Sequence, residues 1–363
     1  MTVMHQNLRP YLRLPLLLLA IAALLAAMWA GLLRLGWRFP TWHPALAAAH
    51  GPLMVSGFLG TLVSLERAVA LGSTWSYTGP VAAATGALLL LLGWGGALGA
   101  FLLAVGSLGL LILFAVILRR HPAPYTAVMA AGALAWLVGN LLWLSGRPVH
   151  QAVYWWAGFL VLTIVGERLE LSRVLRLTGK TIALFGGAVT LLAGGLLLSL
   201  FLYDPGVRLL GAGLLALALW LVRYDVARRT IRRPGLTRYI AACLLSGYAW
   251  LGVGGLLALY YGGLPAGPFY DAILHSVFLG FVFSMIFGHA PIILPALLNV
   301  TFPISPPFYL TLALLHLSLL LRVAGDLALW FPGRQWGGML NVITILLFMG
   351  LTIRTVVHTR NAD

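Results

Sequence analysis

The sequence predicts an all-α integral membrane protein with twelve transmembrane helices, and three observations support this fold class. Hydrophobic residues make up 61% of the 363-residue chain, charged residues make up 9%, and the mean hydropathy is +0.98. A water-soluble domain does not have such a composition. Apolar runs of about 20 residues, the length that spans a bilayer, recur along the whole chain. The basic residues cluster in the connectors between these runs, which indicates membrane topology and excludes a nucleic-acid partner.

The predicted helices follow one another with short connectors, and the first is interpreted as a retained helix because no signal-peptide cleavage site follows it. The most basic connector, VRYDVARRTIRRPGLTR, follows the eighth helix. Basic residues concentrate after even-numbered helices, so the positive-inside rule predicts a multi-pass protein of the cell membrane with both termini cytoplasmic. The twelve helices are centred at about residues 22, 57, 87, 108, 134, 159, 191, 214, 250, 284, 317 and 346.

Three helices share a local sequence pattern that indicates an internal repeat. GFLGTLVSLERA begins at Gly57, GFLVLTIVGERL at Gly158 and GFVFSMIFGHAP at Gly280. Because the three helices are each four helices apart, we expect three four-helix quasi-repeats around a pseudo-threefold axis. They make up one polytopic membrane domain, residues 1–363, with repeats of about 1–121, 122–233 and 234–363. The alternative is chance similarity among glycine-rich membrane helices.

Two histidine-containing motifs carry a resemblance to known families. The second helix contains AHGPLMVSGF and the tenth contains HSVFLGFVFSMIFGH. Together with twelve helices in three quasi-repeats, they resemble the heme-copper oxidase subunit I superfamily and, more closely, the NnrS family, whose members are heme- and copper-associated membrane proteins linked to nitric oxide stress. The resemblance implies one heme b with His50 and His275 as axial ligands. Residues 180–203 contain no histidine, unlike the copper-binding helix of oxidases, so an oxygen-reducing binuclear centre is not expected.

Helix geometry supports the same pair of histidines. Measured from the aligned glycines at 1.5 Å per residue, His50 and His275 differ in depth by about 3 Å. Two neutral imidazoles at one depth are what a six-coordinate heme requires. His275 and His289 are separated by about 21 Å of helix rise, so they cannot share one metal. A second heme at His289 would need another histidine at the same depth. His316 lies near mid-membrane, and its alternative interpretation is a hydrogen-bonded packing residue.

Other polar residues give alternatives that the sequence leaves open. His43 and His150 could form a second, copper site beside the heme, or they could be interfacial histidines. Arg322 and Asp326 are four residues apart and predict an ion pair on one helix face. Arg322 and Arg334 are also candidates for binding heme propionates.

The position nine residues after each aligned glycine is polar in all three repeats and predicts a cluster at the inner side of the membrane. Such a cluster could relay protons in a low-dielectric interior. The two glutamates are each followed by arginine, which favours solvated interfacial charges instead. The three residues are Glu66, Glu167 and His289.

Two functions follow from these patterns. The first is a heme b-binding membrane protein that handles electrons, nitric oxide or another diatomic ligand, with a quinol or a cytochrome as electron donor; oxidoreductase activity is left open. The single cysteine, Cys243, excludes a CxxC redox motif, so redox chemistry would come from a cofactor. The second is a cofactor-free, proton- or ion-coupled transporter or a structural membrane subunit. The sequence does not define the oligomeric state.

Overall fold

The computed structural model describes residues 10–94, 96–298 and 302–360, so both chain ends lie outside the described residues. Among the described residues, twelve helices are long and apolar enough to cross a membrane, as the sequence predicts. Because no water is present in hydrocarbon, a helix is the way in which one segment satisfies all its backbone polar groups. The helices are α1 Pro10–Arg34, α2 Ala47–Leu71, α3 Thr78–Leu92, α4 Gly96–Arg120, α5 Pro124–Leu144, α6 Val149–Leu171, α7 Gly179–Ser199, α8 Tyr203–Tyr224, α9 Leu236–Tyr261, α10 Pro268–Ile293 with its last turn continuing to Leu298, α11 Pro306–Leu327 and α12 Phe331–Arg360.

The chain divides into two compact units, Met1–Gly166 and Glu167–Asp363, and the division falls inside α6. In the first unit α4 packs between α3 and α5, and in the second α8 packs between α7 and α9. Small residues allow close approach of the helices: a Cβ on Gly86 of α3 would lie 2.8 Å from the Gly99 carbonyl oxygen of α4. The predicted repeats of about 1–121, 122–233 and 234–363 stay a prediction.

Two helices contain a π-helical segment of eight residues at equivalent positions. In α2 the π segment is Leu53–Gly60, and in α10 it is Ser276–Phe283. Each segment begins four residues before its aligned glycine, Gly57 or Gly280, and ends three residues after it. The corresponding stretch of α6 is regular α-helix. A shared irregularity at one register supports a relationship between the first and third predicted repeats, and π segments are frequent at functional sites.

A buried ion pair fixes the end of α6 to the chain that follows α8. Arg168 donates from Nε and Nη2 to the two carboxylate oxygens of Asp225, at 2.9 Å each. Asp225 also accepts from the Ala227 backbone N–H at 2.7 Å and from the Ser172 hydroxyl at 3.3 Å. Only 3% of Arg168 is exposed, so the guanidinium is a buried charge that depends on this partner.

We expect Asp225→Ala to lower the free energy of unfolding by about 3–5 kcal/mol, because it leaves the Arg168 guanidinium buried and unpaired. Thermal unfolding of the detergent-solubilised protein measures the effect. The matched control is Arg173→Ala, which removes the surface pair with Glu170, whose side chains are 61% and 36% exposed; its effect should be at most about 1 kcal/mol. Equal midpoints for Asp225→Ala and the wild type would contradict this prediction.

Candidate functional site

Three helices of the second unit bring five ionisable side chains together, and we call this group the charged corner. Asp271 and His275 lie on α10, Arg322 and Asp326 on α11, and Arg334 at the start of α12. Arg322 forms a bidentate ion pair with Asp271, in which Nε donates to Oδ2 at 2.8 Å and Nη2 donates to Oδ1 at 3.0 Å. Arg334 Nη2 lies 3.7 Å from Asp271 Oδ1. Ionisable groups inside a membrane span are costly, so such a cluster is a functional-site candidate.

Hydrogen bonding defines the tautomer of the neutral His275 ring. His275 Nδ1 lies 2.9 Å from the backbone oxygen of Asp271 and 3.3 Å from its carboxylate Oδ1. Both neighbours only accept hydrogen bonds, so Nδ1 carries the proton and, in the neutral ring, Nε2 carries the lone pair. Metal-ligating histidines nearly always have this arrangement, in which a carboxylate or carbonyl orients the ring and makes it a more basic ligand.

The predicted ion pair between Arg322 and Asp326 does not form. Arg322 turns to Asp271 on the neighbouring helix, which offers two oxygens in a fork-to-fork arrangement. Asp326 is completely buried, and Arg334 Nε lies 3.0 Å from its Oδ1. Neither carboxyl oxygen of Asp326 has a hydrogen-bond partner among the described residues. The charged corner therefore contains two arginines, two aspartates and one histidine, and one of its aspartates, Asp326, lacks hydrogen bonds among the described residues.

In the first unit, His50 lies in the first turn of α2 and packs against α1. Its Nδ1 lies 2.7 Å from the backbone oxygen of Ala27, so this histidine also carries its proton on Nδ1. Gly31 makes room for the ring, because a Cβ there would lie 2.9 Å from His50 Cε1. Here the orienting bond comes from another helix. His50 and His275 both lie shortly before a π segment, three residues and one residue from it.

Two further histidines inside the candidate spans, His289 and His316, make different sets of contacts. His289 Nδ1 bonds the Met285 carbonyl at 2.8 Å, so the carbonyl contact alone does not distinguish a metal ligand. His316 accepts from the Trp250 indole at Nδ1, 3.1 Å away, and donates from Nε2 to the Ser246 hydroxyl at 2.8 Å. With both ring nitrogens engaged, His316 is the packing residue that the sequence left as one alternative.

A buried polar network surrounds the π segment of α2. The Ser56 hydroxyl donates to Asn140 Oδ1 at 2.8 Å, and the Trp136 indole donates to Ser56 at 2.9 Å. The Trp156 indole also donates to Asn140 Oδ1, at 3.0 Å, and Asn140 Nδ2 donates to the Leu103 carbonyl at 3.0 Å. Satisfied polar networks make a core rigid. The π segment is therefore held from α4, α5 and α6.

His43 and His150, the residues of the predicted second metal site, both lie in the first unit. His43 packs beside Gly93, and its Nε2 is buried without a hydrogen-bond partner among the described residues. His150 lies half-buried at the start of α6. Among the described residues, no group of three or more His, Cys, Asp or Glu side chains is placed to hold a metal ion. A copper site at His43 and His150 therefore has no support from the geometry.

The three residues of the predicted proton relay are divided between the units. Glu66 belongs to the first unit, lies 3.7 Å from Arg67 and is 34% exposed, which favours the interfacial alternative for it. Glu167 and His289 belong to the second unit, and both are half-buried. The relay stays a prediction.

Sequence reasoning missed three residues that organise the described structure. Asp271 precedes His275 by four residues, a spacing that places both on one helix face, and this was the available signal. Asn140 stands alone in the apolar run of α5, and an isolated amide in a membrane span predicts a buried hydrogen-bonded role. Asp225 had no such signal, because Arg168 is 57 residues away.

The fold and its paired charges define a polytopic helical membrane protein with ionisable groups built into the spans. The family model described as "Domain of unknown function (DUF8744)" matches residues 13–357, and the chain belongs to this family. No curated protein and no solved structure matches the chain significantly.

We expect Gly60→Ala to destabilise the first unit, because an added Cβ would collide with the Trp136 ring that the Ser56 network fixes. Overpacking of this kind costs about 1–3 kcal/mol. Gly187→Ala in α7 is the control, since nothing lies within 4 Å of its Cβ position. Thermal unfolding in detergent should give a lower midpoint for Gly60→Ala only. A loss of the same size in both variants would show that the Trp136 contact is not responsible.

Proposed function

We propose that this is a heme b-binding membrane protein that handles electrons or binds nitric oxide or a related diatomic ligand. The observation that carries the proposal is the charged corner, where His275 Nδ1 bonds the Asp271 backbone oxygen at 2.9 Å and lies 3.3 Å from its carboxylate Oδ1, an arrangement that orients metal-ligating histidines. The motifs of α2 and α10 that resemble the NnrS family contain the same histidine.

The donor set fits a heme. Since Nδ1 of His275 is protonated, its Nε2 is the nitrogen that would ligate iron, and a neutral imidazole is a common axial ligand. His50 has the same tautomer and is the candidate for a second imidazole ligand. The pairing of His50 with His275 joins residues of different units and stays a prediction from the sequence.

The arginines fit propionate binding unequally. Arg322 already donates hydrogen bonds from both Nε and Nη2 to Asp271. Arg334 is 23% exposed and sits 3.0–3.7 Å from the two aspartates without a hydrogen-bonded fork. Arg334 is therefore the better candidate for a heme propionate, and Arg322 acts by fixing Asp271 against His275.

A bound heme would supply one-electron transfer and, with an open axial position, binding of a diatomic gas. The residues of this chain would hold it, exclude water and set its affinity for electrons. The Asp271 carboxylate makes His275 a stronger donor, which favours the oxidised metal. We also propose three quasi-repeats with both termini cytoplasmic, for which the shared π segments and the basic connectors are the support.

A second function is favoured by one observation. The completely buried Asp326 has two carboxyl oxygens without a hydrogen-bond partner among the described residues, beside two arginines and a second acid. Intramembrane acids in such surroundings bind and release protons in transporters. The alternative is therefore a proton- or ion-coupled transporter without a cofactor.

A reduced-minus-oxidised visible spectrum of the purified, heme-supplied protein, with iron and copper quantified on the same sample, tests the first function. We expect a sharp alpha band at about one iron per chain. His275→Ala and His50→Ala should each abolish or open the low-spin heme. His289→Ala is the matched control, because it has the same Nδ1-to-carbonyl bond and should leave the spectrum intact.

Two outcomes contradict the assignment. Wild-type heme content in the His50→Ala/His275→Ala double variant would exclude these residues as ligands. A flat spectrum without metal in a folded sample would favour the transporter.

Asp271→Asn separates the orienting role of this residue from its packing role. Asparagine keeps the size of the side chain but removes the charge, so we expect the heme to remain and its midpoint potential to rise. The heme affinity should fall by about 10–100-fold. Asp204→Asn is the control, because it also removes an aspartate bonded to an arginine, Arg208, but at an exposed position. An unchanged potential in a heme-loaded Asp271→Asn protein would exclude the tuning role.

A further inference from the structure

The connector between α8 and α9, together with the helix ends on either side of it, concentrates a large share of the positive charge of the chain. Residues 223–238 contain six of the 23 basic residues, and all six are exposed arginines. We call these side chains the arginine surface. Its members are Arg223, Arg228, Arg229, Arg232, Arg233 and Arg238.

The single acid of this connector does not neutralise the surface. Asp225 is 2% exposed, and both of its oxygens are occupied by Arg168, by the Ser172 hydroxyl and by the Ala227 N–H. Among the described residues, no carboxylate lies within ion-pair distance of the six arginines. The buried pair therefore leaves an acid-free surface with a formal charge of six.

The same ion pair gives the surface a defined shape. Asp225 accepts from the Ala227 N–H and thereby starts the helical turn Ala227–Thr230, which carries two of the arginines. Arg228 donates to the Arg223 carbonyl at 3.1 Å, and the Arg223 guanidinium stacks over Tyr224 at 5.1 Å. Ordered side chains lose less conformational entropy when they bind a ligand.

The position of the connector selects the ligand. It begins where the apolar span α8 ends at Tyr224 and ends where α9 starts at Leu236, so it lies where a bilayer has its headgroups. Clusters of four to eight basic residues next to a transmembrane helix attract anionic lipids. Lysine at these positions would satisfy the positive-inside rule equally well, but arginine adds a planar guanidinium that binds phosphate through two hydrogen bonds.

We infer that the arginine surface binds the phosphate groups of anionic phospholipid headgroups. The inference is independent of the heme proposal and of which membrane side the connector faces. Arg168 acts here as a positioning residue, because it buries Asp225.

The test compares lipid association of the full-length protein in bilayers of phosphatidylglycerol and phosphatidylcholine, with spin-labelled lipids of both types as probes. We expect the wild type to prefer the phosphatidylglycerol label. The quadruple variant Arg228→Gln/Arg229→Gln/Arg232→Gln/Arg233→Gln should reduce that preference by about tenfold or more. If it fails to fold, the two double variants Arg228→Gln/Arg229→Gln and Arg232→Gln/Arg233→Gln should each give an intermediate loss.

The control removes the same charge from other connectors, with Arg119, Arg120, Arg173 and Lys180 changed to Gln; all four are exposed. It should keep most of the preference. An equal loss in both quadruple variants would assign the effect to net charge and overturn the inference. No preference in the wild type would overturn it as well.

Inorganic phosphate distinguishes the lipid from a soluble ligand. In lipid-free detergent, phosphatidylglycerol should raise the unfolding midpoint of the wild type, and inorganic phosphate should not. Stabilisation by inorganic phosphate at the same concentration would identify a soluble phosphate compound and overturn the commitment to lipid.

Discussion

The absence of water from the hydrocarbon core governs this structure. Each backbone polar group must be satisfied within its own helix, and each buried charge must find a partner nearby. The two most buried arginines obey this constraint with forked bonds, Arg168 to Asp225 and Arg322 to Asp271. Breaking such a pair is costly even where its net contribution to stability is small, so these contacts fix which helices stay together.

Each of the two π segments contains a glycine that packs against a tryptophan ring. In the first unit the Trp136 ring packs against Gly60, and in the second the Trp250 ring packs against Gly280, so each π segment offers a glycine to an indole. Each indole N–H is then bonded, to Ser56 in one unit and to His316 in the other. The two glycines differ in register, since Gly60 lies three residues after the aligned Gly57 and Gly280 is the aligned glycine itself, so the two contacts are alike in kind but not in position.

Hydropathy predicted the number and placement of the helices, because the thickness of the bilayer sets the length of each apolar run and such runs can be recognised from composition. Hydropathy did not predict which side chains pair between helices. The four-residue spacing of Arg322 and Asp326 predicted proximity on α11, but spacing within one helix carries no information about Asp271 on α10, which offers the better acceptor. The π segments left no signal either, because each contains seven apolar or glycine residues and one serine, and such a run has no hydrophobic period that defines the register.

Arginine serves two purposes in this chain, and the dielectric surroundings decide which. Inside the spans, Arg322 and Arg334 lie beside Asp271 and Asp326, because an uncompensated charge in hydrocarbon is destabilising. In the connector and at the helix ends beside it, the six arginines of the arginine surface have no carboxylate partner among the described residues, because water and headgroups solvate them. Arg168 connects the two purposes. Its ion pair with Asp225 neutralises a buried charge, and because Asp225 is buried by this pair, the only acid of residues 223–238 is removed from the arginine surface. The interior pairing therefore determines the charge that the connector presents.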